Sequence, residues 1–164
     1  MARRATLMLA GLLMFGLATA GIPQLGFAQT DPWLGLWQLN LAKSKFSPAP
    51  PYKSLTVYRS QVEGQNLKVT EVGIDAAGNP FTRVFPDVIA DGKPHPVTGS
   101  RIIDAYVATS VDVNTVNYSP MKDGKVIASG NFVMSPDGRS YTLTLSGSLA
   151  DGQQFNWVMV HDKQ

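Results

Sequence analysis

The stretch that decides how this chain folds is Ser140-Tyr141-Thr142-Leu143-Thr144-Leu145-Ser146-Gly147-Ser148-Leu149, the link Ala150-Asp151-Gly152, and Gln153-Gln154-Phe155-Asn156-Trp157-Val158-Met159-Val160-His161. Tyr141, Leu143 and Leu145 alternate with Thr142, Thr144 and Ser146, the period of two of a strand with one apolar and one polar face. Asp-Gly tolerates the positive φ of a tight reversal, so the second run folds back antiparallel on the first. A three-residue loop with Gly152 left-handed sets Trp157 opposite Leu145 and Met159 opposite Leu143; a two-residue loop would bring Val158 and Val160 there and reverse every side chain. The first register buries the larger residues and is the one expected. It also points His161 inward.

The same punctuation recurs upstream at Asp91-Gly92, Asp123-Gly124 and Asp137-Gly138, with Asp75-Ala76-Ala77-Gly78 as a longer version. Between these turns the expected strands are Leu34 to Leu41, Ser54 to Val62, Asn66 to Ile74, Phe81 to Phe85, Arg101 to Thr109, Thr115 to Ser119, Lys125 to Met134, Ser140 to Leu149 and Gln153 to His161, with Pro96 to Thr98 as a short tenth. No long pattern of helical period is present. Consecutive long antiparallel strands suit a meander that curls and closes, which removes exposed edges. The expected fold is all-β, an antiparallel up-and-down barrel of about 8–10 strands. Repeated Asp-Gly lacks the closely spaced oxygen ligands of a calcium loop and is read as plain turns. Ser47-Pro48-Ala49-Pro50-Pro51-Tyr52 is a stiff connection placed across the barrel mouth, and the proline-rich Pro86 to Ser100 is where irregular backbone is expected.

Residues 1–28 are read as a leader, since Arg3 and Arg4 precede an apolar run from Leu7 to Ala18 followed by small residues. Cleavage after Ala20 or after Ala28 leaves one domain, taken as residues 29–164, in a secreted or periplasmic protein with no integral membrane segment. Without Arg3 and Arg4, 12 basic residues balance 12 acidic ones, so no global basic field recruits nucleic acid. With no cysteine, stability rests on a hydrophobic core.

Gly35-Leu36-Trp37 opens the first strand. Together with Trp37 to Pro48, Asp91-Gly92-Lys93, Pro96-Val97-Thr98-Gly99, Lys122 to Lys125, Ser135-Pro136-Asp137-Gly138 and the closing Asp162-Lys163-Gln164, it resembles a group of small exported bacterial proteins with a lipocalin-like (calycin) domain. The resemblance covers nearly the whole mature chain. It implies a closed barrel with a central cavity for a small hydrophobic or amphipathic ligand. It also implies that Gly35 and Trp37 are structural, Trp37 plugging the closed end with Lys163 or Arg101 stacked on it. The chain departs from true lipocalins in lacking disulfides and a helix after the last strand. It also lacks the helical pair of fatty-acid-binding proteins and the glycine-rich run of a haem-binding barrel.

No residues combine into a catalytic motif. There is no nucleophile elbow and no phosphate loop, and Glu71 with Arg83 reads as an ordinary cross-strand ion pair. His161 has no companion histidine or cysteine at ligating spacing, so neither metal nor haem cofactor is expected. The candidate ligand site is a cavity lined by Tyr58, Phe85, Tyr106, Tyr118, Phe132, Tyr141, Leu143, Trp157 and Met159, the tyrosine hydroxyls orienting a polar end. A filled core is the competing reading, since a small barrel can be packed solid or hold one ligand. In that case the barrel is a scaffold for envelope interactions, with an exposed apolar rim near Tyr52 or Phe46.

Overall fold

A computed structural model describes residues 31–61, 64, 66–149 and 151–164. The expected leader and its cleavage sites lie outside the described residues, as do Val62, Glu63 and Ala150. The strands are β1 (Gly35–Ser47), β2 (Tyr52–Ser60), β3 (Leu67–Asp75), β4 (Pro80–Val88), β5 (Asp91–Pro96), β6 (Ala105–Ser110), β7 (Thr115–Lys122), β8 (Lys125–Val126), β9 (Ala128–Met134), β10 (Ser140–Ser148) and β11 (Gln154–Lys163). Among the described residues there is no helix. The strands form one antiparallel sheet in the order β4-β3-β2-β1-β11-β10-β9-β7-β6-β5, with β8 paired off this path to β7. The expected barrel is present, with ten strands on its path and β8 as an eleventh.

The sheet meets itself at a narrow seam. Val84 and Thr98 exchange two backbone hydrogen bonds of 2.9 Å each, linking β4 to the segment after β5. The Tyr106 hydroxyl donates to the Asp87 carbonyl at 2.9 Å and accepts from the Ile89 N–H at 3.0 Å, clipping the β4–β5 reversal.

In the last hairpin Leu145 pairs with Trp157 and Leu143 with Met159, as the three-residue loop requires. Leu149 N–H donates to the Gln153 carbonyl at 2.8 Å, and Gly152 has φ +86°, a conformation that favours glycine. The turn aspartates bind backbone: Asp91, Asp137 and Asp151 each accept the N–H two residues on, at 2.9–3.0 Å. Those carboxylates are therefore committed to the turns.

Three expectations change. Pro86 to Ser100 is not wholly irregular, because β5 occupies Asp91–Pro96 and pairs with β6, placing Pro94 opposite Val107 and Pro96 opposite Ala105. Proline is tolerated there because β5 ends the strand order and needs donors on one side only. Arg101 to Asp104 is a bend, whose Ile102 and Ile103 N–H groups donate to Ser100 Oγ; β6 begins later, at Ala105. The run from Lys125 to Met134 is broken at Ile127, whose N–H donates to the Pro120 carbonyl.

Trp37 is 0 % exposed, donates from Nε1 to the Trp33 carbonyl at 3.1 Å, and carries Lys163 Nζ 5.0 Å above its ring. Lys163 also donates to the Pro32 carbonyl at 3.1 Å, so the last strand and the segment before the first clamp the same indole. Lys163, not Arg101, is the stacking base. Trp37→Ala should cost about 3–5 kcal/mol from lost burial and the cavity left behind. Lys163→Ala should cost no more than about 1 kcal/mol, since its ammonium is exposed. Urea denaturation of the two variants checks the ranking.

Candidate ligand-binding cavity

Eight of the ten strands on the barrel path, all but β1 and β5, line a hollow lumen together with Trp33 and the bend Arg101–Ile103. They enclose a cavity of about 650 Å³, within the roughly 300–1,000 Å³ of small-molecule sites. Barrel diameter grows with strand number, so ten strands leave a wider interior than eight.

Eight of the nine expected lining residues face this space: Phe85, Tyr106, Tyr118, Phe132, Tyr141, Leu143, Trp157 and Met159. Five of them, with His161, form a continuous aromatic wall around the lumen, one ring from each of β4, β6, β7, β9, β10 and β11. Successive centroids are 5.5 Å (Phe85–Tyr106), 6.0 Å (Tyr106–Tyr118), 5.2 Å (Tyr118–Phe132), 5.8 Å (Phe132–Tyr141) and 4.5 Å (Tyr141–His161). Tyr58 is the exception. It stands on the outer face, 49 % exposed, because Leu55, Val57 and Arg59 take the inward positions of β2. The alternation in Leu55-Thr56-Val57-Tyr58-Arg59 sets the arginine, not the tyrosine, on the inward face.

Of the tyrosine hydroxyls expected to orient a polar end, one is already engaged and two remain neutral O–H groups. Tyr106 spends its hydroxyl on the β4–β5 reversal. Burial raises the pKa of Tyr118 and pushes that of Tyr141 up to about 12, so both phenols stay neutral. Of the stiff connection only Tyr52, where β2 begins, lines the cavity, as do Arg101, Ile102 and Ile103. Tyr52 and Phe46 pack against the core instead of forming an exposed rim. The large exposed apolar side chains include Val113 at 82 % and Ile102 at 59 %.

Two polar groups in the lumen were not part of the expected site. The first is Glu71 with Arg83, directly opposed on β3 and β4. The cross-strand pair exists, but it lies inside the barrel, the side chains 14 % and 10 % exposed. Arg83 Nε donates to Glu71 Oε2 at 2.7 Å, Nη2 contacts the same oxygen, and Nη2 also reaches the Tyr52 hydroxyl at 3.3 Å. Burial opposes the Arg83 charge, and the Glu71 carboxylate more than restores it, raising the guanidinium pKa.

The second is Arg59 with His161. The Arg59 guanidinium lies 4.4 Å from the Tyr141 ring centroid, 5.1 Å from that of Trp33 and 5.4 Å from that of Phe132. Its buried Nε has no hydrogen-bond partner within the protein, and neither ring nitrogen of His161 has one. His161 is 2 % exposed and stacked on Tyr141. Burial, then the Arg59 charge, push its pKa down to about 3. Among the described residues no three His, Cys, Asp or Glu side chains converge to hold a metal ion.

No protein-family model matches the sequence, and no curated protein does. Among solved structures, a variant of the fluorescent protein UnaG is similar over 81% of this chain and 96% of that one, at 15% identity and TM-score 0.51. A redesigned β-barrel follows at 12% identity and TM-score 0.46, covering 81% and 92% of the two chains. The redesigned barrel mFAP1, bound to DFHBI, follows at 14% identity and TM-score 0.41, covering 80% and 95%. The likeness to UnaG supports the architecture: a small, nearly closed antiparallel β-barrel.

Two outcomes test the lumen chemistry. Because His161 is held neutral when folded and titrates near 6.5 when unfolded, the unfolded chain binds more protons between those values, and stability falls as pH drops from 6.5 toward 3. Above about pH 4.5 the aspartates with lowered pKa values are mostly ionised in both states and add little to this slope. Denaturation midpoints at the two ends of that window should show a loss of about 2 kcal/mol in the natural protein, and much less in His161→Phe. Glu71→Ala strands the Arg83 charge and should cost about 3–5 kcal/mol, while Glu71→Ala with Arg83→Met costs less than the single change.

Proposed function

We propose that this protein binds a small hydrophobic or amphipathic molecule in its central cavity without transforming it, acting outside the cytoplasm after removal of residues 1–28. The single observation that carries the reading is the hollow lumen of about 650 Å³. A barrel serving only as a scaffold gains stability by filling such a space, because each buried void forfeits packing. The aromatic wall supports an apolar ligand body, and the ion pair and Arg59 support a polar end. The apolar leader, which begins with Arg3 and Arg4, supports export.

Saturable binding of a neutral solvatochromic dye such as Nile red, followed through its emission, tests the cavity. Leu143→Trp should project an indole into the lumen and weaken the dye at least about ten-fold, roughly 1.4 kcal/mol, with the fold kept by near-UV circular dichroism. Mass spectrometry of organic extracts of the purified protein should also show a co-purifying small molecule. A dye that does not saturate, or that binds Leu143→Trp equally well, would remove the reading.

A further inference from the structure

The charge lining the cavity is lopsided although the mature chain is balanced. Glu71 is the sole acid among the described lining residues, against Arg59, Arg83, Arg101 and Lys122. Glu71 is taken up by Arg83, and Lys122 at the rim pairs with Asp104 at 3.4 Å. Arg59 faces the lumen with no carboxylate within salt-bridge distance among the described residues.

Its surroundings sharpen the point. Rings of Trp33, Phe132 and Tyr141 surround the guanidinium, and rings do not replace a counterion. Its Nε–H is buried and unmatched, and His161, stacked on the same Tyr141, offers one further unmatched N–H when neutral. Taking a cation out of water is costly unless an anion and its hydrogen bonds replace the hydration. No such anion is present among the described residues. Arg59 sits opposite Gly35 and His161 opposite Leu39, so this end of the lumen is the one plugged by Trp37.

From this cluster we infer that the ligand is a singly charged anionic amphiphile, its carboxylate-like head held by Arg59 and His161 at the plugged end and its apolar body along the aromatic wall. The inference rests on the binding-cavity reading and names the class of ligand. The rim bases Arg101 and Lys122 would draw such an anion toward the mouth.

The test compares a dansyl-labelled undecanoic acid with its methyl ester and with the matching amine, in the natural protein, Arg59→Met and Arg59→Lys, each confirmed folded by near-UV circular dichroism. The natural protein should bind the acid about ten- to a hundred-fold more tightly than the ester, and the amine most weakly. Arg59→Met should erase the acid's advantage over the ester, and Arg59→Lys should keep part of it. Equal binding of acid and ester by the natural protein overturns the inference and leaves the cavity standing. An acid preference that survives in Arg59→Met also overturns it. Binding of neither acid nor ester removes the cavity reading and this inference together. If Arg59→Met does not fold, the natural protein and Arg59→Lys decide the outcome.

Discussion

The two hydrogen bonds between Val84 and Thr98 close a ten-stranded sheet on itself, and most of what distinguishes this protein depends on that closure. An open sheet with these inner faces would present Arg59, Glu71, Arg83 and His161 to water at no particular cost. Closure withdraws them into a low-dielectric lumen, where each must be matched or left unsatisfied. Glu71 and Arg83 match one another. Arg59 has no carboxylate within salt-bridge distance among the described residues, and its Nε, like the ring nitrogens of His161, has no hydrogen-bond partner. This difference gives the cavity a polarity that the near-balance of charges over the whole chain does not display.

The two ends of the barrel are built differently. At one end Trp37 is fully buried beneath Lys163 and bonded to Trp33, joining β1, β11 and the segment before β1 through one side chain. Toward the other end the bend from Arg101 to Ile103 lines the cavity, and no plug comparable to Trp37 stands there among the described residues. A ligand with one charged end would be oriented by this asymmetry. The aromatic wall contributes apolar area with little side-chain freedom to lose, suiting it to hold a ligand body without rearrangement.

Legibility in the sequence followed from how local each determinant was. The register of the last hairpin follows from three loop residues and the size of Trp157 and Met159, all within about twenty residues of chain. Eight lining residues were found because inward apolar side chains in half-buried strands alternate visibly. β5 was missed because Pro94 and Pro96 argue against a strand unless it is known to lie at a sheet end, and that position depends on the whole topology. Tyr58 was misplaced by letting residue type outweigh alternation. Arg59 and Glu71 carried the right parity, but charged residues at inward positions contradict the usual pattern and were passed over.

Sequence alone determined the all-β class, the antiparallel meander, the turns at the aspartate–glycine pairs and Trp37 as the marker of the first strand, because each depends on steric preferences over a few neighbouring residues. Only the tertiary structure decided that the barrel is hollow, that Glu71 and Arg83 neutralise one another inside it, and that Arg59 and His161 meet unmatched beside Tyr141. Those outcomes depend on closure, which brings strands far apart in sequence to one lumen and shields their side chains from bulk solvent.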